Sequence, residues 1–150
     1  GEGWSHPKVR RADRIAEHLK ENLRPGDRVQ PLDWTGGAVH AMLMAEAPLA
    51  TPFIYDFHFC HHVSTDYIQG LRARFLDALR SEPPRFIIEV ETLRPWVSGP
   101  DTDTRFRALD AFIAQNYAVA QPGFGYRLYE YRAPRVETPT GNVPGQAGAR

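Results

Sequence analysis

Hydrophobic and polar positions follow two patterns along this chain, one typical of helices and the other typical of strands. Four segments carry apolar residues at the three- and four-residue spacing of an amphipathic helix, namely 5–23, 35–48, 64–84 and 101–117. Shorter apolar runs between them predict strands at 28–34, 51–57 and 85–91. The closing run "YAVAQ", "PGFG" and "YRLYEYR" predicts a β-hairpin around a Pro-Gly turn.

Capping residues support the predicted helices. In the first helix, Ser5 suits the N-cap and Pro7 suits the first turn. In the third helix, Ser64 suits the N-cap and Asp66 complements the positive N-terminus. The strand at 85–91 is almost continuously apolar, which favours a central, buried position. The buried face of the third helix is predicted to consist of Tyr67, Ile68, Leu71, Phe75, Leu76 and Leu79.

The order of these elements, α-β-α-β-α-β-α-β-β, predicts the fold class. Strands that alternate with helices favour an α/β fold, here a three-layer αβα sandwich with a mostly parallel, Rossmann-like or flavodoxin-like sheet. The last strand is expected to be antiparallel, as part of the C-terminal hairpin. We expect residues 1–132 to form this single domain. Residues 133–150 carry few large apolar groups, so we expect a flexible tail.

Composition narrows the functional classes. The 150 residues carry 18 basic and 18 acidic side chains, and this zero net charge argues against a nucleic-acid partner. A single cysteine forms no internal disulfide. The longest apolar run falls short of the roughly 20 residues that a membrane span needs. The chain begins with Gly1 and enters a helical pattern at once, so we expect a piece of a longer protein.

Acidic, aromatic and histidine residues follow the predicted strands. The carboxyl ends of parallel strands share one edge of a sheet, where ligands of α/β proteins bind. Such a mixture suits a polar ligand with sugar-like faces, because indole rings stack on apolar faces and polar groups form hydrogen bonds. The alternative is that these loops are simply polar and that the tryptophans cover the sheet edge. The candidate ligand-binding residues are Asp33, Trp34, His58, His61, Glu91 and Trp96.

The segment "YDFHFCHH", residues 55–62, allows two sharper hypotheses. A metal site is disfavoured, because no second ligand pair exists and adjacent histidines point apart in an extended chain. The other hypothesis is a small hydrolase-like enzyme with Cys60 as nucleophile and His58, His61 or His62 as base. The flanking residues contain no glycine for a tight nucleophile elbow. We therefore predict no metal, no cofactor and no catalytic residue.

Two further patterns allow a functional interpretation. "WTGG" before the second helix resembles a phosphate-cradling turn but lacks the full phosphate-binding motifs, so a tight turn is expected. The first helix carries the basic residues Lys8, Arg10, Arg11 and Arg14. The interleaved acids Asp13 and Glu17 favour a solvated face. A position beside a membrane is the alternative.

A set of motifs gives the chain a family resemblance. "RPGDRV" precedes the first predicted strand, "PFIY" lies in the second, "EPPRFII" leads into the third, and "NYAVAQPGFGYRLYEYR" closes the domain. Together, over roughly residues 10–132, they resemble the soluble C-terminal domain of bacterial GT-C class membrane glycosyltransferases. This class includes relatives of the dolichyl-phosphate-mannose protein mannosyltransferases and of aminoarabinose lipid A transferase.

The resemblance implies a function and a location. The parent protein would be a polytopic enzyme that transfers a sugar from a polyprenyl-phosphate donor to a lipid, glycan or protein acceptor. This domain would lie on the extracytoplasmic, periplasmic side of the bacterial inner membrane. Its partners would be the transmembrane portion of the same polypeptide and a lipid or glycan acceptor. The catalytic acid of that family lies in the membrane part, so the domain itself is expected to be non-catalytic.

Overall fold

The computed structural model describes residues 7–33, 36–53, 57–91 and 97–132 of the chain. The helices of this part are α1 (Pro7–Asn22), α2 (Ala38–Met44), α3 (Asp66–Ser81) and α4 (Arg107–Asn116). Its strands are β1 (Val29–Pro31), β2 (Phe86–Val90), β3 (Tyr117–Gly123) and β4 (Tyr126–Tyr131). The mixed α/β class and the closing hairpin are confirmed. The predicted tail, residues 133–150, lies outside the described residues.

The four strands form one sheet in the order β1-β2-β4-β3. β1 and β2 run parallel, whereas β4 is antiparallel to both β2 and β3. The sheet is therefore mixed, and the predicted mostly parallel sheet is not what the described strands form. The reason is the hairpin, because β4 inserts beside β2 and β3 takes the edge. The central position predicted for β2 is confirmed, since it has a hydrogen-bonded neighbour on each side.

The second strand predicted at 51–57 is absent from the described part of that segment. Residues 51 and 52 form bends and Phe57–Cys60 form a 3₁₀ turn, while 54–56 lie outside the described residues. Just before this segment, Leu49 forms an isolated parallel bridge with Val29. The chain thus begins to pair with β1 and then leaves it.

The side chain of Gln30 explains why the pairing stops. Gln30 is fully buried in β1, and its Oε1 accepts a hydrogen bond from the Thr51 hydroxyl at 2.6 Å. Its Nε2 donates to the carbonyl of Pro31 at 3.0 Å and to that of Phe53 at 3.4 Å. These bonds satisfy main-chain groups that a strand ladder would otherwise satisfy. Pro52 also has no N–H to donate to a ladder.

Buried hydrophobic residues form two clusters that meet at β2. Phe86, Ile88 and Val90 belong to the first cluster, together with buried residues of α1 and α2. Ile87 belongs to the second, together with buried residues of α3 and α4. Successive side chains of a strand point to opposite faces, so β2 is covered by hydrophobic groups on both faces. Its nearly continuous apolar sequence is explained by this position.

The start of α3 differs from the sequence prediction in two ways. Thr65 is the N-cap, with its hydroxyl accepting from the Ile68 N–H at 3.4 Å. Ser64 instead bonds to the Asp101 carboxylate through its N–H and its hydroxyl, at 2.9 and 2.8 Å. Tyr67, predicted to be buried, is 72% exposed, because it lies about 100° around the helix from the buried Ile68.

Arg72 occupies the buried face of α3, where no charge was expected. Its guanidinium donates to the carbonyl of Phe59 through Nε at 2.9 Å and Nη2 at 2.5 Å. It also donates to the carbonyls of Arg105 and Asp103, at 3.1 and 3.3 Å. The cation lies 4.9 Å from the ring centroid of Phe106. Arg72 therefore holds the 3₁₀ turn and the segment before α4 against α3.

We expect Arg72→Met to lower the free energy of unfolding by about 2–4 kcal/mol, because buried carbonyl acceptors lose their donor. The control is Arg74→Met, an exposed arginine two residues further along α3. The control should shift that free energy by less than about 0.5 kcal/mol. Urea unfolding followed by circular dichroism measures both. Equal effects of the two substitutions would contradict the bridging role of Arg72.

Candidate functional site

The sheet edge at which ligand binding was predicted also carries a hairpin turn. Asp33 follows β1 and Glu91 follows β2, so these acids leave two parallel strands at the same edge. Val90 pairs with Tyr126, which brings the turn between β3 and β4 to that edge. The Glu91 N–H donates to the Gly125 carbonyl at 2.8 Å. We call this region, with the first turns of α1, the hairpin edge.

The Asp33 side chain forms a hydrogen bond within the segment that leads into α2. It is 6% exposed, and its carboxylate accepts a hydrogen bond from the N–H of Gly36. Gly37 adopts a φ of 114°, a left-handed conformation that favours glycine. The N–H of Gly36 is thus already bonded within the protein. The described part of "WTGG", Gly36 and Gly37, is therefore held at the entry to α2 by Asp33.

Arg11 of α1 connects the two loops of the hairpin edge. Its Nε and Nη2 donate to the Gly36 carbonyl at 3.1 and 2.7 Å. Its Nη1 lies so close to Gly125 that a Cβ there would be only 2.8 Å away. Gly125 also has a φ of 76°, so both space and conformation favour glycine. Because α1 places Arg11 here, the first turns of α1 belong to the same edge as Asp33 and Glu91.

Sequence reasoning missed this role of Arg11 by grouping it with the solvated basic face. One pattern could have indicated it. Arg11 precedes the buried Ala12 and lies four residues before the buried Ile15, so it borders the buried face of the helix. Long arginine side chains at such borders reach over neighbouring loops.

Tyr126 places a buried hydroxyl beside the same turn. The residue is 2% exposed, and within the described residues its hydroxyl has no hydrogen-bond partner. The ring lies against Gly123, where any Cβ would overlap it. Burial raises the pKa of this hydroxyl, and the positive charge of Arg14 opposes that shift. Gln121 Oε1, on the same hairpin, is likewise buried without a partner in the described part of the chain.

The predicted histidine and cysteine residues have different surroundings. His61 is partly buried and forms an isolated antiparallel bridge with Thr102, and His62 is exposed. The carbonyl of Cys60 accepts from the Asp103 N–H at 3.0 Å, and its side chain is fully buried. This cluster is thus tied to the segment before α4. The side chain of His58 lies outside the description.

The six candidate residues are therefore not equally placed. Asp33 and Glu91 share the hairpin edge, linked through Arg11 and Gly125. Trp34 and Trp96 lie outside the described residues. Among the residues that are described, no three His, Cys, Asp or Glu side chains come close enough together to share a metal ion. None of the described helices has the length and apolar character needed to cross a bilayer.

The arrangement is suited to binding. Arg11 and Arg14 bring positive charge to an edge where the Asp33 carboxylate is already bonded to the protein. Nucleophilic chemistry at Cys60 would require an accessible thiol, and this one is buried. The positive charges of the hairpin edge suit an anionic or polar ligand, whereas its described side chains offer no accessible nucleophile.

We expect Tyr126→Phe to leave the free energy of unfolding unchanged or to raise it by up to about 1 kcal/mol, because an unpartnered buried hydroxyl is removed. Tyr117→Phe is the matched comparison, since that buried hydroxyl donates to the Pro84 carbonyl at 2.6 Å. It should lower the same free energy by about 1 kcal/mol. Urea unfolding of both variants measures the difference. Equal losses would mean that the Tyr126 hydroxyl has a partner in solution.

We expect Cys60 of the native protein to react with a thiol reagent much more slowly than a free thiol, because its side chain is fully buried. In denaturing urea the same cysteine should react at the rate of a free thiol. The reaction is followed by absorbance with a chromogenic disulfide between pH 6 and 9. Fast native-state reaction with a depressed thiol pKa would instead support the hydrolase hypothesis.

The chain was compared with protein-family models, curated proteins and solved structures. The chain matches no protein-family model, no curated protein and no solved structure.

Proposed function

We propose that this chain is the soluble extracytoplasmic domain of a polytopic membrane glycosyltransferase that uses a polyprenyl-phosphate sugar donor. The domain itself is non-catalytic and supports the membrane part or positions the acceptor. The motifs from "RPGDRV" to "YRLYEYR" support this proposal by their resemblance to that family. In its finer form, the fold is a three-layer αβα sandwich, which the two hydrophobic clusters on the faces of β2 support.

One structural observation carries the functional proposal. Arg11 bonds to Gly36, and this contact sets the first turns of α1 on the same edge as Asp33 and Glu91. A membrane part that precedes α1 therefore joins the domain at its polar, arginine-bearing edge. Asp33 and Glu91 then face the membrane part, where a lipid-linked donor and its acceptor meet. This orientation gives the domain access to the substrates without a catalytic residue of its own.

The test uses the full-length protein in membranes. We expect Trp34→Ala and Trp96→Ala to lower the rate of sugar transfer roughly tenfold, the effect of about 1.4 kcal/mol of lost contact energy. The matched control is Tyr67→Ala, an aromatic residue of α3 that is 72% exposed. Transfer of a labelled sugar from its polyprenyl-phosphate carrier is measured at equal expression. Unchanged transfer in both tryptophan variants would refute a ligand-binding role for these residues.

A second measurement tests the function itself. Membranes that contain the full-length protein should transfer sugar from a polyprenyl-phosphate carrier, and membranes from cells that lack the gene should not. If no polyprenyl-phosphate sugar is consumed by the wild-type protein, the assignment to this enzyme class fails, whatever the tryptophan variants do.

A further inference from the structure

The turn of the β3–β4 hairpin presents an apolar side chain to solvent. Phe124 is 88% exposed, more than any other large hydrophobic residue that the structure describes. Its neighbour Gly125 supplies the left-handed conformation of the turn, so the fold itself does not require a phenylalanine here. A single exposed hydrophobic residue is common on protein surfaces. The exposure of Phe124 alone therefore does not indicate a binding surface, and the neighbouring groups must be considered.

The groups beside Phe124 are basic. Arg11 holds its Nη1 against Gly125, the residue next to Phe124, and Arg14 acts on the Tyr126 hydroxyl from the following turn of α1. Neither arginine forms an ion pair within the described ranges of the chain. Arg11 is also fixed in direction, because two of its nitrogens are bonded to the Gly36 carbonyl.

The acidic residues of α1 line a groove together with Lys20 and with Met44 of α2. They are Asp13, Glu17 and Glu21, which follow one another at four-residue spacing. Arg11 reaches the hairpin, and Arg14 lies three residues from both Arg11 and Glu17, at the border between the groove and the hairpin. Glu91, which is exposed at the hairpin edge, opposes the local positive charge.

We propose that the hairpin edge docks on the surface of an anionic lipid bilayer, with Phe124 in the interfacial layer and Arg11 and Arg14 on lipid phosphates. The exposed fork of Arg14 matches phosphate oxygens geometrically, and Arg11 adds a fixed positive charge beside the hairpin turn. An aromatic ring beside these charges suits the boundary between headgroups and acyl chains. The docking depends on the surface alone, so it goes beyond the proposed glycosyl transfer and holds whatever the parent protein does.

The test measures binding of the 150-residue chain to phosphatidylcholine vesicles with and without phosphatidylglycerol, by co-sedimentation. We expect binding that requires phosphatidylglycerol. Phe124→Ser should weaken it roughly tenfold, because the apolar contribution of a buried phenylalanine is lost. Arg14→Gln should weaken it roughly fivefold, the usual effect of one basic residue at an anionic surface. Glu91→Gln should strengthen it, because a repulsive charge is removed.

Matched controls distinguish docking of the hairpin edge from nonspecific adsorption to vesicles and from unfolding of the variants. Leu43→Ser removes a 72% exposed apolar residue of α2, and Arg74→Gln removes an exposed arginine of α3. Neither should change vesicle binding, and circular dichroism checks that every variant is folded. Equal losses from Phe124→Ser and Leu43→Ser, or no binding by the wild-type chain, would overturn the proposal.

Inorganic phosphate distinguishes a lipid surface from a free phosphate ligand. For bilayer docking, phosphate at matched ionic strength should displace the chain no better than chloride. Complete displacement by phosphate, together with no effect of Phe124→Ser, would show a site for soluble phosphate and would overturn the bilayer proposal. Because no sugar transfer is measured here, this outcome is independent of the test of the proposed function.

Discussion

The structure depends on the burial of β2. This five-residue strand has a hydrogen-bonded strand on each side and a hydrophobic cluster on each face, and only Glu89 within it is partly exposed. Its beginning is fixed by Arg85, which bonds to Glu130 of β4 and to Asp27 before β1. Because β2 is enclosed in this way, it fixes the direction and the register of both neighbouring strands. The positions of Asp33, Glu91 and the hairpin turn at one edge follow from that constraint.

The antiparallel β4 changes what this edge can do. In a fully parallel sheet, each strand delivers a loop to the ligand-binding edge and leaves a crevice between loops. Here the described residues of the segment 51–57 form no strand after the single bridge at Leu49, and the antiparallel β4 of the hairpin pairs with β2. Arg11 then spans from the loop after β1 to the hairpin turn. Among the described residues, Arg11 and the hairpin turn therefore occupy the edge between β1 and β4.

The sequence predicted what depends on local patterns and missed what depends on distant contacts. The helices, β2 and the hairpin follow from apolar spacing and turn residues, which act over a few positions. The absence of a strand from the described residues of 51–57 depends on Gln30 bonding to Thr51 and Phe53, over 20 residues away. The roles of Arg11 and Arg72 likewise depend on carbonyls of remote loops, and periodicity gives no information about such partners. Asp33 and Glu91 share one edge, as expected, because the pairing of β1 with β2 is the part of the sheet that is parallel.

The weak bilayer affinity expected of the hairpin edge is consistent with a domain that is tethered to a membrane part. One phenylalanine and two arginines give a free chain only weak affinity for a bilayer, because each contributes little and the chain loses translational freedom on binding. A domain attached to a membrane part meets the bilayer at a high effective concentration, so weak contacts suffice to set its orientation. Orientation is also what a non-catalytic domain would add to a lipid-linked reaction. The docking surface and the proposed enzyme class are thus physically compatible, although neither requires the other.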